Sequence, residues 1–166
     1  ASAQSVEVQA GYAGWSGDEF EGFDAGPRIR ASILGSTGGS LEIGATGSWA
    51  RTPVDTGNDD ITQLGLGVTA RKALGVTAGP HVYVEGHLGW TRLSQDAGVV
   101  DVQESGFAVG PGLGVAIPLG GVQLTLSSDI QYQSYGDLEI EGGLGVGEAG
   151  QSGWRWGAQA GLALGR

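Results

Sequence analysis

Hydrophobic and polar residues alternate along this chain with a period of two, the pattern of extended strands with two unlike faces. Eight segments carry it. In the first, residues 6–12, Val6, Val8, Ala10 and Tyr12 oppose Glu7 and Gln9. The second, 23–34, sets Ile29, Ala31 and Ile33 against Arg28, Arg30 and Ser32. The third, 40–50, sets Leu41, Ile43, Ala45 and Trp49 against Glu42, Thr46 and Ser48, and the fourth, 62–72, sets Leu64, Leu66, Val68 and Ala70 against Gln63, Thr69 and Arg71. The fifth, 80–92, opposes Val82, Val84, Leu88 and Trp90 to His81, Tyr83, Glu85, His87 and Thr91. The sixth, 107–119, carries Phe107, Val109, Leu113, Val115 and Ile117 over a face of glycine and alanine. The seventh, 122–133, sets Val122, Leu124, Leu126, Ile130 and Tyr132 against Gln123, Thr125, Ser127, Asp129 and Gln131. The eighth, 154–164, sets Trp154, Trp156, Leu162 and Leu164 against Arg155 and Gln159.

These segments are longer than the ~5–6 residues of an ordinary globular strand and match the ~9–11 residues of a strand that crosses a bilayer. Their connections alternate. Residues 35–39, 73–79 and 120–121 are short turns, whereas 15–22, 51–61, 93–106 and 134–153 are longer and polar. Short turns at one end, long loops at the other and an even strand count predict an all-β, eight-stranded antiparallel up-and-down barrel, closed because an open sheet edge cannot survive in lipid. One transmembrane β-barrel domain is expected over residues 1–166. Gly26-Pro27, Gly79-Pro80 and Gly110-Pro111 each lead into an alternating run. Proline removes a ladder hydrogen bond, so bulges or strand starts are expected there.

Alternation alone does not say which face is inside. A soluble barrel of the lipocalin kind puts the apolar face inside, and a membrane barrel puts it outside. Composition favours the second. The polar faces are rich in Gly, Ala, Ser, Thr and Gln, and Lys72 is the one lysine. Small uncharged side chains suit a tight interior better than a watery exterior. The aromatics gather where strands meet the long loops: Trp15, Trp49, Trp90 and Tyr132 on one side of the loops, Phe23, Phe107, Trp154 and Trp156 on the other. Amphipathic rings belong at a membrane interface, so these eight are expected to form a loop-side girdle. Tyr83 is the one aromatic toward the turn end, with inward parity, so a turn-side girdle is nearly absent.

Charge completes the assignment. The formal net charge is −10, which excludes nucleic acid as a partner, because phosphate binding needs a basic surface. Fourteen of the 18 acidic residues lie in or beside the four long loops. The other four, Glu7, Glu42, Glu85 and Asp129, share the polar strand faces with Arg28, Arg30, Arg71, Arg155 and His87. Opposite charges in a narrow barrel must pair, since a lone buried charge is costly. A polar, mostly plugged lumen is therefore expected. There is no cysteine, hence no disulfide scaffold or thiolate metal site.

This architecture and the glycine-aromatic texture of runs such as Val109-Gly110-Pro111-Gly112-Leu113-Gly114-Val115 resemble the small outer-membrane barrels typified by the OmpA transmembrane domain and OmpX. The resemblance spans essentially the whole chain. It implies insertion into a bacterial outer membrane after export and loss of a signal peptide, with the short turns periplasmic. Lipid bilayer and outer-leaflet lipopolysaccharide are the partners it implies, for a monomer or a component of an envelope complex. Members of this family commonly end on an aromatic residue; here the end is Leu164-Gly165-Arg166.

Candidate chemistry is sparse. His81, Glu85 and His87 share one strand face, a pattern open to catalysis, metal binding or a plain hydrogen-bond network. The network is the reading adopted, with no catalytic, cofactor or metal residue assigned. Residues 55–60, Asp55-Thr56-Gly57-Asn58-Asp59-Asp60, lack the closing glutamate of a calcium loop, although the converging acidic loops offer weak sites for divalent cations. Residues 138–146 and 99–102 carry apolar alternation that would extend the barrel above the membrane; a mobile loop is the reading adopted for them. The function expected is a non-enzymatic structural or surface-interaction barrel. The alternatives are a narrow pore, a lipid A-modifying enzyme and a soluble lipocalin-like binder.

Overall fold

The structure, a computed structural model, describes residues 4–17, 23–37, 39–54, 60–96, 101–141 and 152–165. Eight strands follow one another in a meander: β1 Gln4–Ser16, β2 Gly26–Ser36, β3 Leu41–Thr52, β4 Ile61–Leu74, β5 His81–Asp96, β6 Asp101–Leu119, β7 Val122–Glu141 and β8 Ser152–Leu164. Each pairs antiparallel with its neighbours, and β8 returns to β1, so the sheet closes.

The register sets the shape of the barrel. Following paired residues from Val6 through Ile33, Ala45, Val68, Leu88, Val109, Tyr132 and Trp154 returns to β1 at Ser16, ten residues further along. With a rise of ~3.3 Å per residue and a strand spacing of ~4.8 Å, that stagger over eight strands tilts them by about 40°. Barrels of this strand number have an interior just wide enough to fill with side chains.

The apolar face is outside. Val8, Ile33, Leu66, Leu88, Leu113, Ile130 and Leu162 are all exposed, whereas Glu7, Gln9, Arg30, Thr69, Thr125 and Asp129 are almost fully buried. This inverts the burial of a water-soluble protein and overturns the lipocalin-like alternative. Glycine on the inner face makes the packing possible. A Cβ at Gly114 would lie 2.2 Å from the Tyr83 ring, and one at Gly157 would lie 2.4 Å from Nη1 of Arg28 and 2.6 Å from Oδ1 of Asp129.

Three expectations need correction. The strands are longer than the alternation alone indicated, reaching 20 residues in β7. Residues 101–106 pair with 91–96 on β5 and with 135 and 137–141 on β7. The third connection therefore shrinks to residues 97–100, and much of the expected third and fourth loops is strand. Over 101–102 and 138–141 the extension, and not the mobile loop, is the observed state, because β5, β6 and β7 keep one another's backbone groups paired; residues 99–100 and 142–146 lie outside the described residues. The prolines also behave differently from one another. Pro27 and Pro80 stand at or just before strand starts. Pro111 sits inside β6, where Gly110 and Pro111 drop out of the ladder to β7 while the register is kept. The register shift lies between Ser105 and Gly106 instead.

Candidate functional site

The inner faces of the strands form one polar network. Arg71 on β4 reaches across the lumen to Glu7 on β1 with two hydrogen bonds, Nη1 to Oε2 at 2.9 Å and Nη2 to Oε1 at 2.7 Å. Its Nη2 also donates to Oε2 of Glu85 on β5 at 2.9 Å, and its guanidinium lies 4.2 Å over the Tyr83 ring. Arg30 on β2 donates to Oε1 of Glu85 at 2.8 Å and to Oε1 of Gln9 at 2.8 Å. Glu85 thus serves two arginines from strands that are not neighbours. Such charge-assisted, bidentate pairs are the strong ones, and they offset the desolvation of charges that are almost wholly buried.

His87 belongs to this layer through its contacts. Nη1 of Arg30 approaches Nε2 at 3.0 Å, and Thr69 Oγ1 approaches Nδ1 at 2.9 Å. An arginine can only donate, so Nε2 accepts and Nδ1 carries the hydrogen. The 3.2 Å approach of Nε2 to Glu85 is then a contact between two acceptors, and not an ion pair. From Nδ1 a chain of hydroxyls continues through Thr69 to Thr46 at 2.7 Å and to Ser32 at 3.0 Å.

Toward the long loops the network changes. Arg28 on β2 holds Asp129 on β7 with bonds of 2.8 and 3.0 Å, and Gln131 donates to the same carboxylate at 2.8 Å. Gln63 on β4 spans the lumen to Gln133 at 2.8 Å and to Tyr135 at 3.1 Å. Arg155 on β8 is 3% exposed and forms no ion pair with a described residue. Its guanidinium stands 5.7 Å from the Trp15 ring, which in turn packs 6.2 Å from that of Tyr135.

Trp15 was expected in the outer girdle, and that is corrected here: it contacts Arg155 and Tyr135 inside the barrel. Its place at a strand end suggested the girdle, but its parity with Glu7 and Gln9 puts it inside. On the outer face Trp90 and Phe107 stand opposite each other, as do Tyr132 and Trp154. Ring centroids lie 6.4 Å apart for Phe107 and Tyr132 and 5.4 Å apart for Tyr132 and Trp154. Trp156 is exposed and its ring lies over Gly14 of β1. Trp49 is half-buried beside Leu64, and Phe23 stands on an isolated bridge with Val54.

Glu42 departs from the expected network. It is half-buried at the turn end and forms no ion pair with a described residue. It lines a second cavity, of about 190 Å³, beside Arg71, His81 and Tyr83. His81 is separate from Glu85 and His87; its Nδ1 bonds the Gly79 carbonyl at 2.9 Å. Six of the fourteen acidic loop residues, Asp18, Glu19, Glu21, Asp55, Asp59 and Glu148, lie outside the described residues. Asp60 pairs with Arg51. Glu104, three residues before Phe107 on the loop side of β6, is buried, and burial pushes its carboxyl above the ordinary value of 4.5. Among the described residues, no three His, Asp or Glu side chains gather to hold a metal.

The network's uncharged members were not singled out in advance. Gln63, Gln133, Tyr135 and Thr69 carry no individual signal beyond inward parity. Their partners lie across the lumen, which only the closed register reveals.

No family model and no curated protein matches this chain. Solved structures do. Neisserial surface protein A is matched with a TM-score of 0.73 at 17% identity, over 97% of this chain and 96% of that one. A major outer membrane protein of Thermus thermophilus is matched at 0.64 and 13%, over the full length of both. The outer membrane protease OmpT of Escherichia coli is matched at 0.50 and 10%, over 99% and 97%. At these identities the likeness is one of fold, and the fold serves more than one activity.

Proposed function

We propose that this chain is a bacterial outer-membrane β-barrel with a structural or surface-interaction role, without catalysis, and with a lumen closed to solutes. The observation that carries the reading is the reversed polarity of the barrel: an exposed apolar outer face around an ionic interior. A band of Trp90, Phe107, Tyr132, Trp154 and Trp156 fits the headgroup level of the outer leaflet, where lipopolysaccharide is the lipid partner. Its loops face outward, and the acidic ones are candidates for weak binding of divalent cations. The protein acts as a monomer or within an envelope assembly.

The chemistry of the lumen supports the absence of catalysis. Both nitrogens of His87 and both oxygens of Glu85 are engaged by network partners, and no serine contacts His87 among the described residues. A nucleophile needs a base free to take its proton.

A narrow pore is the second reading. It is favoured by the cavities above and below the Arg71 layer. Single-channel recording in a planar bilayer tests the choice. A silent bilayer, with insertion verified independently, supports the closed barrel. Discrete conductance steps that Arg71→Ala enlarges would support the pore.

A further inference from the structure

In the loop-side half of the lumen one arginine stands without a carboxylate partner among the described residues. Arg28 holds Asp129 there at 2.8 and 3.0 Å, and the buried Glu104 forms no ion pair with a described residue. Glu7 and Glu85 serve Arg30 and Arg71 deeper in the barrel. Arg155 has no carboxylate of its own among the described residues. Its Nε and Nη2 are buried without a hydrogen-bond partner, and so is Nε of Arg28. Buried polar groups almost always find partners, and an uncompensated buried cation is among the most costly features a fold can hold.

The space for a partner exists. Arg28 and Arg155 both line a cavity of about 40 Å³, together with Ser48, Thr91, Gln131 and Gln133. That volume accommodates a few waters or one small ion. The lining offers hydroxyl and amide groups beside three arginines, of which Arg30 is held by Glu85, a set suited to negative charge. The Trp15 ring lies 5.7 Å from the Arg155 guanidinium and 6.2 Å from the Tyr135 ring.

We propose that this cavity is an anion site, occupied by a single small monovalent anion such as chloride, held by Arg155 with Arg28 as the second cation. The anion supplies the counter-charge that Arg155 lacks among the described residues. The site stands or falls separately from the closed-barrel reading, because an anion can be bound in a silent barrel or in a conducting one.

Trp15 reports on the site directly. The full chain is refolded in detergent with Trp49, Trp90, Trp154 and Trp156 replaced by phenylalanine, and its fluorescence is followed as sodium iodide replaces sodium gluconate at constant ionic strength. Iodide quenching that saturates, that excess chloride relieves, and whose half-saturation moves at least tenfold in Arg155→Gln supports the site. Quenching that is linear in iodide, or that saturates identically in Arg155→Gln, overturns it and leaves water as the occupant. Should Arg155→Gln fail to fold, the unsubstituted chain still decides. Its melting temperature is expected to be higher in chloride than in gluconate at matched ionic strength, and equal temperatures overturn the proposal.

Discussion

At the residue scale, the balance of the lumen rests on a few side chains that each serve several partners. Glu85 bonds Arg30 and Arg71 together, so its loss leaves Arg30 without a carboxylate and Arg71 with Glu7 alone. Glu85→Gln is expected to lower stability by about 3–5 kcal/mol, the cost of breaking a buried pair from one side. Glu42→Gln, at a half-buried position without an ion pair among the described residues, is expected to cost less than about 1 kcal/mol. Urea titration of the refolded protein in detergent measures both, and equal costs would contradict the network. Gly157→Ala drives a methyl group into the Arg28–Asp129 pair and is expected to cost about 1–3 kcal/mol by overpacking alone.

Glu104 carries a pH dependence of opposite sign to that of a paired carboxylate. Burial raises its folded-state value above the ordinary 4.5, so the fold holds this proton more tightly than the unfolded chain does. Between those two values the folded state binds more protons, and stability falls as pH rises through the window. Below the window both states are protonated and no penalty exists. Glu104→Gln is therefore expected to melt higher than the unsubstituted protein at pH 7, with the difference shrinking toward zero below pH ~4. A difference that grows on acidification would contradict burial as the cause.

At the scale of the strands, each has two solvents. Leu88 lies mid-strand on the outer face, 62% exposed, and Leu88→Arg is expected to cost about 2–4 kcal/mol in a bilayer. The same parity separates the tryptophans. Brominated lipids are expected to quench Trp90, Trp154 and Trp156 but not Trp15, which stacks on Arg155 inside. Single-tryptophan variants in vesicles measure this, and strong quenching of Trp15 would return it to the girdle.

Strand number, parity, closure and the turn end were legible in the alternation, because each inner face is polar and each outer face apolar over most of its length. The upper parts of β5, β6 and β7 were not. Polar residues such as Gln103, Glu104 and Ser105 read as loop, yet above a membrane the outer face of a strand is polar too, and alternation no longer marks it. The charged members of the lumen were legible as a set. Who pairs with whom was not, since Arg71 with Glu7 and Arg28 with Asp129 join strands on different sides of the ring. At Trp15 two signals conflict: its place at a strand end points to the girdle, and its parity with Glu7 and Gln9, which decides, points inside.

At the scale of the whole molecule, a closed ring with a stagger of ten residues leaves no free edge across the belt. Its backbone hydrogen bonds need no water, which is the condition for spanning lipid. Ionic bonds from β1 to β4, β2 to β5 and β2 to β7 brace the ring across its interior. The reading as a membrane barrel rests on that pairing of closure with an apolar exterior. Its most direct test is to refold the chain into lipid vesicles and compare gel mobility with and without boiling, alongside its state in buffer without detergent. The account predicts a faster-migrating folded band that boiling converts to the unfolded position, and aggregation when lipid and detergent are both absent. A monomer that stays folded and soluble in plain buffer, with no affinity for vesicles, would contradict it.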